Sequence, residues 1–209
     1  MEGHGPGAAS EAVRLEAVWA GEFGDAYTER NRGAGAARER FWRALLEECP
    51  ARRVLEVGSN LGANLTWIAS DERLALGIDV NLTALGKLRE AAPAARGVAA
   101  AGRTLPFRDG AFDLVFTIGV LIHQPPETLP TVMAEIVRCS RRFVLCGEYY
   151  APAPVEVPYR GQSGALLKRD FGGFYRERHP ELTLRRQAFL SRADGWDDVT
   201  VWVFEKGAG

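Results

Sequence analysis

The segment FDLVFTI, residues 112–118, constrains the fold of this chain more than any other feature of its sequence. It is almost continuously apolar, and a strand of that kind is buried on both faces. Such strands are typical of parallel sheets that carry helices on both sides. Apolar residues at helical spacing follow over residues 129–137 and predict an amphipathic helix. The chain is therefore expected to alternate strands and helices around a parallel sheet.

The same alternation extends along most of the chain. The predicted helices cover residues 11–31 (interrupted by Gly21 and Gly24), 41–49, 61–70, 82–91, 129–137 and 166–177. The predicted strands cover residues 54–57, 74–80, 112–118, 143–146, 182–190 and 199–204, with a weak strand near residue 98. The last two strands are close in sequence and form an antiparallel pair. The pattern indicates a doubly wound α/β sheet closed by that pair.

Length favours one domain with an N-terminal extension, since 209 residues suffice for a single core. We expect a flexible tail over residues 1–10 and a helical lid over residues 11–50, with a glycine hinge at 32–35. A ligand-binding domain is expected over residues 51–209, with a substrate-covering segment at 150–180.

Charge and cysteine usage narrow the classes of partner. The formal net charge is −1, so no global field favours nucleic acid or an anionic membrane. The three cysteines form no CxxC pair and no even set, which favours reduced thiols and a cytoplasmic location. No acidic cluster has metal-ligand spacing, and no apolar run approaches the roughly 20 residues that span a bilayer. We expect a small-molecule partner and no metal, while the oligomeric state stays open.

The turn after the first predicted strand carries the strongest ligand-binding signal. It has the sequence EVGSNLG, and glycines at 58 and 62 permit a tight turn and the close approach of a ligand. Asp79 lies about twenty residues further on, at the end of the second strand, where a carboxylate can accept both ribose hydroxyls. A dinucleotide-binding turn has the pattern GxGxxG, whereas position 60 is asparagine. The turn favours a nucleoside that bears an amino acid over a nicotinamide dinucleotide.

A third motif points to a known class of enzyme. The run LPFRDGAFDLV, residues 105–115, resembles the LPFxDxxFDxV run that precedes the fourth strand of class I methyltransferases. The three motifs lie in the order of that class within residues 54–123. The resemblance implies a Rossmann-like class I methyltransferase fold, with a mostly parallel seven-stranded sheet and an antiparallel C-terminal strand. It also implies S-adenosylmethionine as the cofactor.

Further motifs are similar to those of the methylases associated with pseudaminic acid biosynthesis. They are EFGDAYTERN at 22–31, GVLIHQPP at 119–126, EYY at 148–150, YRG at 159–161, KRDF at 168–171 and DD at 197–198. This resemblance extends from about residue 19 to residue 206. It implies a methyltransferase of sugar or natural-product biosynthesis and does not identify the acceptor.

The cofactor is expected to contact the glycine-rich turn, the ends of the second and fourth strands, and the helical lid. The expected cofactor-binding residues are Tyr27, Arg30, Gly58, Ser59, Asn60, Gly62, Asp79, Val80, Gly102, Arg103 and Ile118. The chain departs from the class at residues 101–103, where Ala-Gly-Arg replaces an acidic residue that often accepts the adenine amino group. Arg103 is expected to lie over the adenine ring instead.

Ligands of open α/β sheets lie beyond the carboxyl ends of the strands, and this rule selects candidates for chemistry. His123 follows the fourth strand and is the expected proton acceptor, with Tyr149 as a second catalytic candidate. The expected substrate-binding residues are Glu148, Tyr150, Tyr159, Arg160, Lys168 and Arg169. Their cations favour an anionic acceptor. Structural roles explain the same residues equally well: a capping histidine, aromatic packing, or a solvated basic face with an ion pair to Asp170.

The sequence therefore predicts an S-adenosylmethionine-dependent methyltransferase that acts on a small, anionic metabolite. One alternative is a non-catalytic, cofactor-binding partner in a biosynthetic complex. Another is a different transfer from the same cofactor, such as aminopropyl transfer, although the sequence has no obvious acidic polyamine pocket. The accepting atom is left open, and with it the need for a general base.

Overall fold

The computed structural model describes residues 8–31, 38–162 and 164–207. Its strands are β1 (Arg53–Val57), β2 (Leu74–Asp79), β3 (Arg96–Ala99), β4 (Phe112–Ile118), β5 (Ser140–Glu148), β6 (Val155–Glu156), β7 (Leu167–Lys168), β8 (Leu182–Leu190) and β9 (Val199–Lys206). Seven of them form one sheet with the order β3-β2-β1-β4-β5-β9-β8, and β6 pairs with β7 separately.

The direction of the strands confirms the predicted fold class. β1 pairs in parallel with β2 and β4, and β2–β3 and β4–β5 are also parallel pairs. β9 is antiparallel to both β5 and β8, so it alone runs against the other described strands of this sheet. The carboxyl ends of β1, β2, β4 and β5 therefore meet along one edge of the sheet.

Helices cover both faces of the sheet, as the apolar run in β4 predicts. They are α1 (Ala8–Ala20), α2 (Glu22–Arg30), α3 (Glu39–Glu48), α4 (Leu65–Ile68), α5 (Leu82–Ala91), α6 (Leu129–Cys139) and α7 (Phe171–Arg178). Leu114 and Phe116 pack into the layer that contains Trp42 of α3, while Val115 packs into the layer that contains Met133 of α6. Neighbouring residues of β4 thus enter two different cores, which explains why both faces are apolar.

The N-terminal elements differ from the prediction in their boundaries. The predicted interruption at Gly21 separates α1 from α2, whereas the one predicted at Gly24 is wrong, because α2 continues through that residue. α1 begins at Ala8, inside the predicted tail. Residues 1–7 of that tail and the predicted hinge at 32–35 lie outside the described part of the chain.

Two later helices are shorter than predicted. α4 has only four residues, Leu65–Ile68, because positive φ angles at Asn60 and Gly62 keep the preceding backbone in a turn. α7 begins at Phe171, since Asp170 caps it by accepting from the Gly173 amide at 2.8 Å.

Several features bear on the expected partners. No helix in the described ranges is long and apolar enough to cross a membrane. In the same ranges, no group of three or more His, Cys, Asp or Glu side chains could hold a metal ion. The cysteines at 49, 139 and 146 are buried and free.

Candidate functional site

The turn after β1 folds back over the end of β2. Gly58 has a φ of 73°, and a Cβ here would lie 2.5 Å from a methyl carbon of Val120, so a larger residue would clash. Asn60 has a φ of 47°, a left-handed conformation that asparagine tolerates better than most residues. In this conformation the Asn60 amide donates to Oδ2 of Asp79 at 2.8 Å. The turn is thereby tied to the acidic residue predicted to bind a ribose.

Backbone amides hold the Asp79 carboxylate in place. Besides the bond from Asn60, Oδ1 accepts from the Asn81 amide at 2.9 Å. Burial raises the pKa of Asp79, and the hydrogen bonds from backbone amides oppose that rise. An ionised carboxylate has about four lone-pair sites, so both oxygens keep capacity to accept further hydrogen bonds. Asp79 lines a cavity and can accept hydroxyl groups from a ligand there.

A buried polar network lies beside the turn. Asn64 donates from Nδ2 to Oε1 of Glu56 at 2.6 Å, and its Oδ1 accepts from Nη1 of Arg38 at 3.0 Å. The second carboxylate oxygen, Oε2 of Glu56, has no hydrogen-bond partner among the described residues. Burial raises the pKa of Glu56 to about 8. Glu56 belongs to the EVGSNLG motif but was not predicted as a site residue, and neither Arg38 nor Asn64 was predicted, because their pairing depends on the folded chain.

One cavity of about 390 Å³ opens beside these groups, a size that suits a small ligand or cofactor. The predicted site residues that line it are Tyr27, Gly58, Ser59, Asn60, Asp79, Val80, Gly102, Ile118, His123, Tyr149, Tyr159 and Arg160. It is also lined by residues that sequence reasoning did not assign to the site, among them Glu16, Trp19, Thr28, Arg38, Glu56, Asn64, Asn81, Trp196 and Asp197. The structure thus brings most of the predicted cofactor residues together with His123.

Two predicted cofactor-binding cations lie outside the cavity lining. Arg103 forms an ion pair with Glu16 of α1, with 2.6 Å between Nε and Oε1. The guanidinium of Arg30 lies 5.9 Å from the ring centroid of Tyr27. Glu16 itself lines the cavity, so an acidic side chain reaches this region from α1, although residues 101–103 supply none.

Gly62 and Tyr150 also lie away from the cavity lining. Gly62 has a φ of 79°, and a Cβ there would lie 2.9 Å from a side-chain carbon of Leu88. It therefore shapes the turn against α5. Tyr150 is half-exposed, and its ring centroid lies 6.1 Å from that of Trp202.

The two N-terminal helices are hydrogen-bonded to the cavity rim. The Thr28 hydroxyl donates to Oδ1 of Asn60 at 2.8 Å. The side-chain amide of Asn81 donates to the Trp19 carbonyl at 3.1 Å and to Oδ1 of Asp25 at 2.9 Å. α1 and α2 therefore cover the cavity through contacts with both the glycine-rich turn and the end of β2.

His123 is buried in the short 3-10 turn after β4. Its Nδ1 is hydrogen-bonded to the Ala165 carbonyl, and because a carbonyl only accepts, Nδ1 carries the proton. Burial lowers the pKa of His123 to about 4, so the ring is neutral near pH 7 and Nε2 has the lone pair. Its ring centroid lies 4.5 Å from that of Trp19 and 5.4 Å from that of Tyr159.

Glu148 supports the turn that carries His123. Its carboxylate is fully buried and accepts from the Thr117 hydroxyl at 2.9 Å and from the Leu121 amide at 3.1 Å. The amides of Val120 and Ile122 each donate to it at 3.3 Å. Burial raises the pKa of Glu148 to about 7. The predicted substrate contact thus lies behind the cavity wall, where it caps the N-terminus of the turn.

The predicted acceptor-binding cations separate in the structure. Arg160 lines the cavity, whereas Lys168 and Arg169 do not. Nζ of Lys168 lies 5.5 Å from the ring centroid of Tyr149, and Arg169 is buried against Phe171.

The comparisons with known proteins agree with this architecture. Residues 54–142 match the family described as "Methyltransferase domain". An uncharacterized methyltransferase of Synechocystis sp. is 30% identical over 103 residues, which are 48% of this chain and 49% of that protein. The chain therefore spans about half the length of this curated relative.

Solved structures are similar over nearly the whole chain. The 1,6-didemethyltoxoflavin N1-methyltransferase of Burkholderia thailandensis, with bound S-adenosylhomocysteine, has a TM-score of 0.73 at 16% identity, over 100% of this chain and 94% of that one. The magnesium protoporphyrin IX methyltransferase of Synechocystis PCC 6803, also with bound S-adenosylhomocysteine, has a TM-score of 0.70 at 12% identity, over 93% and 99%. The fold is that of these class I methyltransferases, and residues 54–142 match a methyltransferase domain.

The residues of this chain fit that cofactor. A ribose needs a hydroxyl acceptor, and Asp79 offers free acceptor capacity on the cavity. A methionine ammonium donates hydrogen bonds, and Glu56 has a buried carboxyl oxygen without a partner within the described structure. Gly58 lies in the turn between Glu56 and Asp79. Its positive φ and its lack of a side chain leave the backbone there accessible to a ligand.

Proposed function

We propose that this chain transfers a methyl group from S-adenosylmethionine to a small-molecule acceptor. The observation that carries the proposal is the position of the Asp79 carboxylate, held by the amides of Asn60 and Asn81 on the cavity that His123 also lines. A carboxylate for a nucleoside and a neutral imidazole thus line one cavity.

The cofactor would be held at three points of this chain. Asp79 would accept the ribose hydroxyls, Glu56 would face the ammonium group, and the backbone at 58–60 would lie along the cofactor. When bound, S-adenosylmethionine supplies an electrophilic methyl group on a sulfonium ion. The remaining contribution of the protein is alignment of the acceptor and exclusion of water by the covering helices, which together lower the barrier through proximity.

His123 is the proposed proton acceptor for an O–H or N–H nucleophile. Its Nε2 lone pair follows from the bond between Nδ1 and Ala165, and the ring lines the cavity. Tyr149 lines the same cavity, and burial raises its pKa to about 12, so its hydroxyl stays protonated and can donate a hydrogen bond to the acceptor.

The acceptor is proposed to be a small, anionic metabolite of sugar or natural-product biosynthesis. Arg160 supports the anionic character, because it is the member of the predicted cation set that lines the cavity. The similarity of several motifs to pseudaminic acid-associated methylases supports the type of pathway. A cytoplasmic location is part of the proposal and is supported by the free cysteines.

The first test is binding of S-adenosylhomocysteine measured by calorimetry. Asp79→Ala should weaken binding about 10- to 100-fold, because hydrogen bonds to a charged group contribute about 1.5–3 kcal/mol. Asp109→Ala is the matched control, since Asp109 is exposed and pairs with Arg138 outside the cavity. Equal affinity of the Asp79→Ala variant and the unmodified chain would refute the ribose assignment.

A methyl-transfer assay distinguishes an enzyme from a non-catalytic, cofactor-binding partner. Methyl-labelled cofactor incubated with candidate acceptors should yield a labelled acceptor and S-adenosylhomocysteine in equal amounts. Tight cofactor binding with no labelled acceptor across phenols, amines, alcohols and carboxylic acids would favour the binding-partner alternative.

A further inference from the structure

An aromatic cluster lies on the side of the cavity that carries His123. We define it as Trp19, Phe23, Tyr27, His123 and Tyr159, of which all except Phe23 line the cavity. Trp19 lies at its centre, with ring centroids 5.3 Å from Phe23, 5.3 Å from Tyr27 and 6.5 Å from Tyr159. The cluster joins α1, α2, the turn after β4 and the loop around residue 159. Trp19 and Tyr159 contact the imidazole of His123 in tilted ring geometry.

The polar groups at this end are mostly uncharged. The tyrosines at 27, 149 and 159 line the cavity together with His123, and burial raises the pKa of both Tyr27 and Tyr149. The hydroxyls of Tyr27 and Tyr149 therefore stay protonated. Two charged side chains at the rim, Arg160 and Asp197, are exposed to solvent. The wall around the imidazole thus suits an apolar ring with hydrogen-bonding substituents, and its charge lies further out.

The state of His123 limits what it can deprotonate. Its Nδ1–H is engaged by Ala165, so only Nε2 can take a proton. Burial lowers its pKa to about 4, which makes it a weak base. A weak base assists removal of a proton best when that proton is already acidic. A phenol, with an ordinary pKa of about 10 as in tyrosine, or a heteroaromatic N–H meets this condition far better than an aliphatic hydroxyl.

We propose that the acceptor presents a flat, unsaturated ring to the aromatic cluster and carries the methylated O–H or N–H on that ring. The inference rests on the proposed function and specifies its substrate class: phenolic or heteroaromatic acids, with the anionic substituent directed to Arg160. Stacked or edge-on aromatic pairs contribute beyond their buried area, so a planar ring gains from this cluster more than a saturated one does.

The acceptor oxygen or nitrogen forms a bond to the methyl carbon as its proton passes to Nε2 of His123. The electron pair of the broken carbon–sulfur bond stays on sulfur, which becomes a neutral thioether. His123 then releases the proton to solvent.

The test compares matched probes on the protein saturated with S-adenosylhomocysteine. The planar probes are 4-hydroxybenzoate and 4-hydroxyquinoline-2-carboxylate, and the saturated probe is trans-4-hydroxycyclohexanecarboxylate. All carry one carboxylate, so they differ mainly in ring planarity and in the acidity of the hydroxyl. By calorimetry we expect at least one planar probe to bind ten or more times tighter than the saturated probe. With S-adenosylmethionine, the methyl group should appear on the ring oxygen or nitrogen and not as a methyl ester.

Paired variants test which residues bind the planar probe and which one accepts its proton. Tyr159→Leu should weaken the planar probe at least fivefold, whereas Tyr150→Leu, away from the cavity, should not. His123→Gln should abolish methyl transfer while planar-probe binding changes less than threefold, with His179→Gln as its control.

The inference is overturned if the saturated probe binds as tightly as both planar probes, if none of the three probes binds, or if a methyl ester forms. Each of these results leaves the proposed function standing as long as S-adenosylhomocysteine binds and depends on Asp79. Failure of S-adenosylhomocysteine to bind would refute the proposed function itself.

Discussion

Burial affects the properties of single residues in this protein as much as their chemical type does. Glu56 and Glu148 are both buried, and burial raises their pKa values to about 8 and about 7. Glu148 is surrounded by donors from the turn before His123, whereas Glu56 keeps one oxygen without a partner in the described structure. Two similar carboxyl groups therefore differ in their surroundings: one supports a turn, and the other is the proposed partner of the cofactor's ammonium group.

The two glutamates should make stability fall as pH rises from about 6.5 to 8.5. A carboxyl whose pKa is raised by folding stabilises the protein below its unfolded pKa, and this contribution is lost as pH rises through the folded value. The decrease in the free energy of unfolding should be on the order of 2–3 kcal/mol, at about 1.4 kcal/mol per pKa unit. Below about pH 6.5 the lowered pKa of His123 makes stability rise with pH and opposes the effect of the glutamates. The range from pH 6.5 to 8.5 is therefore the one that reports on the two glutamates.

Urea denaturation at several pH values measures the slope of the free energy of unfolding against pH. Glu56→Gln should flatten it, and Glu127→Gln, on an exposed position, should leave it unchanged. A slope in Glu56→Gln equal to that of the unmodified chain would show that Glu56 does not titrate in this window.

At the scale of elements, the helices α1 and α2 lie over the cavity. They are attached to the turn after β1 by Thr28, to the end of β2 by Asn81, and to residue 103 by the Glu16 ion pair. The chain bends between them at Gly21. We propose that residues 19–31 act as a lid, since a few hydrogen bonds can open without disturbing the sheet.

Hydrogen exchange tests the lid directly. Amides of residues 19–31 should exchange more slowly when S-adenosylhomocysteine is bound, because closure removes open states. Thr28→Val, which lacks the hydroxyl donor to Asn60, should lose part of this protection. Thr131→Val in α6 is the control at an exposed position. Equal exchange with and without ligand would identify α1 and α2 as fixed packing helices.

At the scale of the whole molecule, Arg38 connects three distant parts of the chain. It donates to Asn64 after β1 and to the Gly195 carbonyl before β9, 157 residues away in sequence. Its guanidinium also lies 4.4 Å from the ring centroid of Trp196. The start of α3, the site turn and the β8–β9 connection are therefore held together by one buried cation.

Arg38→Ala should destabilise the protein by about 2–4 kcal/mol, since it leaves buried acceptors without a donor. The thermal midpoint should fall accordingly, and affinity for S-adenosylhomocysteine should fall with it because Asn64 also orients Glu56. Arg43→Ala is the control, as Arg43 is exposed and pairs with Glu39 on the same helix. A midpoint within 1 °C of the unmodified chain would contradict the bridging role.

The sequence by itself determined the sheet and the cofactor turn. Both depend on short-range physics: the apolar run in β4 requires burial on two faces, and the positive φ angles at Gly58 and Asn60 follow from local sterics. The spacing between this turn and Asp79 also follows locally, because only the short helix α4 and the strand β2 lie between them.

Only the tertiary structure decided which polar side chains share the cavity. Arg38 finds its partners 26 and 157 residues away, and Glu148 turns from a predicted substrate contact into a cap because the end of β5 lies beside the turn after β4. Lys168 and Arg160 are close in sequence, yet only Arg160 lines the cavity. Such partnerships depend on strand order and register across the whole sheet, whereas periodicity reports only which face of an element is buried.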